Sequence, residues 1–251
     1  MSLQKSFEYY LKNLDVIFVF SFAVLYSLTL LPFIESYVTI GSGFIRFSSI
    51  YLDFSLISGI VIAFFTILTP FFLAAFCAAM ISIVKLQETY DHVGFARVLK
   101  FFQKYLKDLF IFFLFIILLT ISVGVFLTYL HVPYFFTQLI IFLLWLPLLF
   151  APQIMVMDDF GLEKTLKDSL TFFLSSPIYY LKYLVVGLVL LFLAAVFEVF
   201  LGFYFVWEHK IFSLLLTAFF IVPFLQIYAS VLYLNRYPIV KVKTRKMVRK
   251  K

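Results

Sequence analysis

The stretch that decides the fold is Phe150–Leu174, which reads FAPQIMVMDDFGLEKTLKDSLTFFL. Its first half is too apolar for a water-exposed segment. Its second half repeats leucine at helical spacing, with charged residues on the opposite face. Asp158 and Asp159 stand between the halves, where we expect the N-cap and a first-turn acid of the second helix. The stretch predicts a membrane span followed by an amphipathic helix on the membrane surface.

The composition extends this prediction to the whole chain. Of the 251 residues, 65% are hydrophobic and only 13% are charged, which lies outside the range of soluble domains. We predict an all-α fold, a transmembrane bundle of six helices in three hairpins, with amphipathic interfacial helices on the cytoplasmic side. It forms a single domain over residues 1–251, with spans at about 14–33, 54–84, 109–130, 137–156, 183–204 and 212–234.

The segments between spans carry their own signals. Residues 2–12 and 94–107 each combine an apolar stripe with charged residues, so both are predicted to be interfacial helices. The apolar run after residues 2–12 is long and has no small-residue cleavage site, which favours a retained first span over a signal peptide. Residues 34–53 contain two short strand-like runs around Gly41-Ser42-Gly43 and predict a small external hairpin.

The distribution of basic residues predicts the orientation. Of the 20 lysines and arginines, all except Arg46 and Lys210 fall at the N-terminus, in the 85–108 and 157–182 loops, or in the C-terminal tail. Basic residues near span ends accumulate on the cytoplasmic side. We therefore expect a multi-pass protein of the cell membrane with both termini in the cytoplasm.

Prolines suggest an internal repeat. Pro70, Pro147 and Pro223 each precede bulky apolar residues in a returning span, at intervals of 77 and 76 residues. YYLK at 9–12 recurs at 179–182, and GFARVLK at 94–100 parallels GLEKTLK at 161–167. Three hairpins related by duplication would place the kinked spans around a pseudo-threefold axis, whereas chance would leave no such symmetry. With Pro152, these prolines are the predicted kink positions.

The six-span layout and the stretch FAPQIMVMDDFGLEKTLKDSLTFF resemble a family of six-span membrane domains. That family occurs at the N-terminus of some bacterial glycerophosphodiester phosphodiesterases and as stand-alone membrane proteins of bacteria and archaea. The resemblance covers essentially the whole chain and implies the same fold. The phosphodiesterase catalytic domain is not in this sequence, so the resemblance implies no catalytic residue.

Motifs for catalysis or metal binding are missing from the sequence. It contains no His-Glu-x-x-His, no Gly-x-Ser-x-Gly, no P-loop and no Gly-x-Gly-x-x-Gly. Cys77 is the single cysteine and the three histidines are far apart, so neither a disulfide nor a metal cluster is expected. The chain is predicted to be non-enzymatic and to need no cofactor.

Three polar residues inside spans are candidates for a site. Glu198 is an ionisable residue within span 5, where such a group marks an ion or proton site unless an interfacial partner or water neutralises it. Gln153 and Gln226 follow the prolines of spans 4 and 6. They could line a polar path, or bond backbone groups that the prolines leave free.

The net charge of +7 accompanies hydrophobic spans, which favours anionic lipid over nucleic acid as the partner. The leading hypothesis is a membrane module that binds anionic lipid or a partner protein through its cytoplasmic face. The alternative is a small-solute or lipid transporter, because broken repeated helices build many carrier sites. A Glu198→Gln variant would lose activity in a carrier and change at most stability in a module. The candidate contact residues are Arg97, Lys100, Lys104, Lys107, Lys243, Arg245 and Lys246.

Overall fold

A computed structural model describes residues 2–28, 36–40, 43–47, 56–88, 90, 93–203 and 215–236. These residues form nine α-helices and one β-hairpin. The helices are α1 (Ser2–Lys12), α2 (Leu14–Leu28), α3 (Leu56–Gln87), α4 (Phe95–Tyr129), α5 (Tyr134–Trp145), α6 (Ala151–Met157), α7 (Leu162–Ser175), α8 (Pro177–Gly202) and α9 (Val222–Leu234). Strands β1 (Ser36–Ile40) and β2 (Gly43–Phe47) lie between α2 and α3.

Five apolar helical segments are long enough to cross a membrane, as expected of an integral membrane protein. They are Leu68–Gln87, Phe95–Tyr129, Phe135–Met157, Pro177–Phe197 and Thr217–Leu234, and they correspond to predicted spans 2 to 6. The apolar helix α2 covers the start of predicted span 1 but is shorter, and residues 29–33 lie outside the described residues. The number of six spans therefore stays a prediction.

The predicted separation of an interfacial helix at 94–107 from a span at 109–130 is wrong. Both belong to α4, one helix of 35 residues without proline. At 1.5 Å per residue α4 is about 52 Å long, well beyond a hydrocarbon core of about 30 Å. Its basic N-terminal part therefore continues the apolar part as one helix, with enough length to extend beyond a hydrocarbon core. By contrast, α1 is separated from α2 at Asn13, and α7 from α8 at Ser176.

The prolines of the returning spans have different effects. Helix α3 continues through Pro70, whereas Pro147 lies in a 3-10 turn, Leu146–Leu148, that separates α5 from α6. Pro223 lies in the first turn of α9, directly after a π-helical turn, Thr217–Ile221. Pro152 occupies the first turn of α6, where a missing backbone N–H leaves no bond unmade.

The returning helices form the interior of the bundle. In the most apolar 18 residues of the segments ending at Gln87, Met157 and Leu234, 78%, 56% and 78% are buried, against 28% and 22% in the corresponding stretches of α4 and α8. Helices α3, α6 and α9 also contact one another pairwise. The predicted threefold arrangement of kinked spans stays a prediction, because α3 is not broken at Pro70.

Within the predicted hairpin at 34–53, the described residues 36–40 and 43–47 form two paired strands, and its external location stays a prediction. Strands β1 and β2 pair antiparallel, with Ser36 opposite Phe47 and Ile40 opposite Gly43.

Candidate functional site

The two aspartates lie in the turn between α6 and α7 and do not cap the second helix. Helix α7 begins at Leu162 with Gly161 as its N-cap, whereas Asp158 is the C-cap of α6. Asp159 has a φ of 57°, a left-handed conformation that aspartate tolerates better than most residues. The N-cap prediction is wrong because both carboxylates are engaged by side chains from other helices.

Asp159 binds cations and a phenol from two helices. Lys104 Nζ lies 2.7 Å from its Oδ1, the Tyr105 hydroxyl donates to the same oxygen, and Lys85 Nζ lies 3.6 Å from Oδ2. Burial alone would raise the pKa of Asp159. The hydrogen bonds from Lys104 and Tyr105, with the charge of Lys85, outweigh burial and lower that pKa below its ordinary value.

Lys85 also stabilises the end of α6. Its Nζ donates to the backbone carbonyl of Val156 at 2.6 Å. The last carbonyls of a helix have no intrahelical donor, and a cation there also interacts favourably with the helix dipole. The Lys85 side chain is only 25% exposed, so this interaction is shielded from water more than a surface ion pair.

Asp158 has a different environment from its neighbour. The Tyr233 hydroxyl, from the last turn of α9, donates to Asp158 Oδ2 at 2.5 Å. Burial raises the pKa of the Asp158 carboxyl above its ordinary value, and the Tyr233 hydrogen bond and the charge of Arg236 only partly offset burial. We call this group the aspartate cluster; its members are Lys85, Lys104, Tyr105, Asp158, Asp159 and Tyr233.

Helix α1 joins the same end of the bundle. Lys5 forms an ion pair with Glu88, and the Tyr9 hydroxyl donates to the same carboxylate at 3.1 Å. Asn13 Nδ2 donates to Gln87 Oε1 at 3.2 Å. Segments that the charge distribution assigns to one side of the membrane therefore meet at one end of the bundle.

Tyrosines complete the backbone at two proline breaks. Pro223 cannot donate to the carbonyl of Phe219, and the buried Tyr10 hydroxyl donates to that oxygen at 2.8 Å. At the other break, the carbonyl of Pro147 accepts from Ser169 Oγ at 2.6 Å and from the Tyr180 hydroxyl at 3.3 Å. Tyr10 and Tyr180 hold the same place in the two YYLK segments, so equivalent residues make the same kind of contact.

The predicted site residues fall into separate groups. Gln153 and Gln226 are fully buried in the bundle interior, and neither amide has a hydrogen-bond partner among the described residues. Glu198 lies in α8, but its side chain lies outside what the structure describes. The tail residues Lys243, Arg245 and Lys246 also lie outside the described residues. Among the described residues, Gln153 and Gln226 are buried in the bundle, whereas Arg97, Lys100, Lys104 and Lys107 lie on an exposed face of α4.

The predicted basic residues of α4 lie on one exposed stripe. Arg97, Lys100, Lys104 and Lys107 follow one another at intervals of three or four residues, and Ile111, Phe115 and Leu118 continue the same stripe. Lys104 pairs with Asp159 and Arg97 lies 4.6 Å from the ring centroid of Tyr90. Lys100 and Lys107 contact no acidic side chain in the part of the chain that the structure describes.

The residues that sequence reasoning missed are the tyrosines. Tyr105 and Tyr233 near helix ends resemble interfacial aromatic residues in sequence, and nothing local shows that their hydroxyls reach Asp159 and Asp158. One usable signal was present, because Tyr-Leu-Lys occurs at 10–12, 105–107 and 180–182. All three of these tyrosines donate hydrogen bonds between helices.

Among the described side chains, no three His, Cys, Asp or Glu residues form a group that could hold a metal ion. No protein-family model, no curated protein and no solved structure matches this chain, so the resemblance to the six-span domain family stays a prediction.

Proposed function

We propose that this integral membrane protein is a non-enzymatic module that binds anionic lipid headgroups at the end of the bundle that carries the aspartate cluster. The positive-inside rule makes this end the cytoplasmic one. The observation that carries the proposal is the exposed stripe of α4, which changes from four cations to apolar side chains within a single helix.

The change occurs over the distance that a bilayer requires. From Arg97 to Lys107 the stripe is cationic over about 15 Å, comparable with a headgroup region, and from Ile111 onward it is apolar. A cation at headgroup depth gains about 1 kcal/mol from an anionic leaflet. Lys100 and Lys107, without acidic partners in the described residues, are available for such contacts.

The start of α4 adds to its attraction for anions. Its N-cap is Gly94, which offers no side-chain oxygen, and its first turn contains no acid. The free backbone N–H groups and the positive end of the helix dipole therefore reinforce Arg97. A lipid phosphate can accept hydrogen bonds from these N–H groups, and its negative charge is attracted by Arg97 and by the helix dipole.

Helices α1 and α7 present apolar side chains outward at the same end. In α1 the buried residues are Ser6, Tyr9 and Tyr10, whereas Leu3, Phe7 and Leu11 are about half exposed. In α7 the buried residues are Thr165, Ser169 and Phe172, whereas Leu170 and Leu174 are exposed. Each exposed side chain gains on the order of 1 kcal/mol by leaving water, which favours contact with the acyl boundary.

Native mass spectrometry of protein extracted gently from a membrane of mixed anionic and zwitterionic phospholipid tests the proposal. We expect the wild type to retain anionic phospholipid selectively. A variant with Arg97→Gln, Lys100→Gln and Lys107→Gln should lose most of it, because three of the four stripe cations are removed.

The matched control keeps the charges, with Arg97→Lys, Lys100→Arg and Lys107→Arg, and it should retain the lipid. Equal retention of anionic lipid by the glutamine variant and the wild type would overturn the proposal. A protein that co-purifies with the wild type and is lost in the glutamine variant would instead identify the stripe as a protein-binding surface.

A further inference from the structure

Three buried polar side chains in the interior of the bundle have no partner in the described residues. They are Ser82 of α3, Gln153 of α6 and Gln226 of α9. All three are fully buried, and both polar atoms of each amide are unpaired. Buried polar groups without partners are rare in folded proteins, so these atoms require an explanation.

The helix register places Ser82 and Gln153 at one depth. Helices α3 and α6 both end at the aspartate cluster, and Lys85 of α3 contacts the carbonyl of Val156 in α6. Ser82 precedes Lys85 by three residues, and Gln153 precedes Val156 by three residues. Each therefore lies about 4.5 Å along its own helix before the residue that makes this contact, which places the two at similar depths.

Gln226 reaches nearly the same depth from the third helix. Tyr233 of α9 contacts Asp158 at the end of α6. Gln226 lies seven residues before Tyr233 and Gln153 lies five residues before Asp158, so their depths differ by about 3 Å. A glutamine side chain spans that difference.

The faces of α3 and α9 that carry Ser82 and Gln226 also carry the residues that reach α6. Ser82 and Lys85 share a face of α3, and Lys85 reaches α6. Gln226 and Tyr233, two turns apart, share a face of α9, and Tyr233 reaches the end of α6. Helices α3, α6 and α9 contact one another pairwise, so side chains at these depths can face a common space without bonding one another.

We propose that Ser82, Gln153 and Gln226 form a hydrated site that binds a small neutral ligand able both to donate and to accept hydrogen bonds. A cation would satisfy only the amide oxygens, and an anion only the amide nitrogens. Water and small polyols satisfy both. The site lies inside the bundle and is independent of lipid binding by α4.

The backbone next to the site is suited to such a ligand. Helix α6 begins just after the 3-10 turn at Pro147, and α9 begins just after the π-helical turn. Irregular backbone at membrane depth is tolerated where it is buried in protein or lines a polar cavity. Both breaks lie within two turns of the glutamines.

Cysteine labelling tests whether water reaches the site. In a Cys77→Ala background, Ser82→Cys, Gln153→Cys and Gln226→Cys are compared with Ile83→Cys, Ile154→Cys and Ile227→Cys, whose isoleucines are equally buried neighbours. A methanethiosulfonate reagent should modify the first set at least about tenfold faster, because the thiolate forms only where water is present. Equal, slow labelling in both sets would overturn the proposal.

Two further arms complete the test. If about 1 M glycerol slows labelling of the first set alone, the site also accepts a polyol; no slowing assigns it to water. A double-mutant cycle of Gln153→Leu and Gln226→Leu should give a combined shift in thermal midpoint smaller than the sum of the single shifts, because one shared ligand is lost only once. Additive shifts would show that the two amides share no ligand.

Discussion

At the scale of residues, two adjacent aspartates have opposite electrostatic environments. The pKa of Asp159 is lowered because Lys104 and Tyr105 donate to its carboxylate and a second cation, Lys85, lies near it. The pKa of Asp158 is raised because burial outweighs its single hydrogen bond from Tyr233 and the charge of Arg236. Identical side chains therefore stabilise the fold to different extents.

We predict that Asp159→Asn destabilises the protein and that Asp158→Asn does so much less. Asparagine tolerates the positive φ at position 159, so the substitution isolates the loss of charge from backbone strain. The expected loss at Asp159 is on the order of 1 kcal/mol, because its ion pairs are half exposed. Thermal unfolding in detergent at neutral pH measures both variants, and an equal loss in the two would contradict the assigned environments.

The pH dependence of the two variants should also differ. The lowered pKa of Asp159 means that its stabilisation is complete above the unfolded-state pKa of about 3.9 and disappears as the pH falls through the folded pKa. The raised pKa of Asp158 means that its charged form is penalised in the fold, and that the penalty disappears as the pH falls through its folded pKa. Relative to wild type, Asp158→Asn should therefore be least destabilising near neutral pH, and its loss of stability should grow on acidification.

At the scale of elements, the proline breaks depend on side chains from other helices. The π-helical turn before α9 leaves the Phe219 carbonyl without a donor from Pro223, and Tyr10 of α1 supplies the hydrogen bond. A short N-terminal helix thus contributes to the backbone of the last span, more than 200 residues away along the chain.

We predict that Tyr10→Phe destabilises the protein by about 1–3 kcal/mol, the cost of a buried carbonyl without a donor. In a Pro223→Ala background the same change should cost less, because alanine restores a backbone N–H that can donate to Phe219. A double-mutant cycle followed by thermal unfolding measures the difference. The control is Tyr9→Phe, whose hydroxyl binds the more exposed Glu88 and should show no coupling to position 223.

Sequence reasoning identified most helices and strands. It failed where contacts between distant parts of the chain determine a helix boundary or the role of a side chain. The hairpin at 34–53, the separate helix α1 and the apolar segments followed from local patterns. The basic stripe at 97–107 resembles that of a separate surface helix. No local signal in the sequence shows that these residues are instead the first turns of the longer helix α4. Asp158 and Asp159 match an N-cap pattern, but cations and phenols from α3, α4 and α9 engage their carboxylates. The glutamines were predictable as buried polar residues, whereas their lack of partners required the packed structure.

At the scale of the whole molecule, three returning helices form the core and the long rising helices α4 and α8 surround them. Alanines at 74, 75, 78 and 79 of α3 are all buried, which allows close helix approach. The repeat expected from Pro70, Pro147 and Pro223 would account for this arrangement, and it stays a prediction.

We predict that α2 crosses the membrane, with both chain ends on the same side as the aspartate cluster. In a Cys77→Ala background and in membrane vesicles of one orientation, an impermeant maleimide should modify Lys12→Cys and Lys164→Cys from one side. Arg46→Cys, which lies between α2 and α3, should be modified from the other side. Modification of Lys12→Cys and Arg46→Cys from the same side would mean that α2 does not span.

The continuous helix α4 has a mechanical consequence. A helix of 35 residues without proline can neither shorten nor fold back, so it responds to a thinner bilayer by tilting. When α4 tilts about the middle of the span, its N-terminal end is displaced sideways. That end carries Lys104 and Tyr105, which bind Asp159. A change in the tilt of α4 would therefore move Lys104 and Tyr105 relative to Asp159.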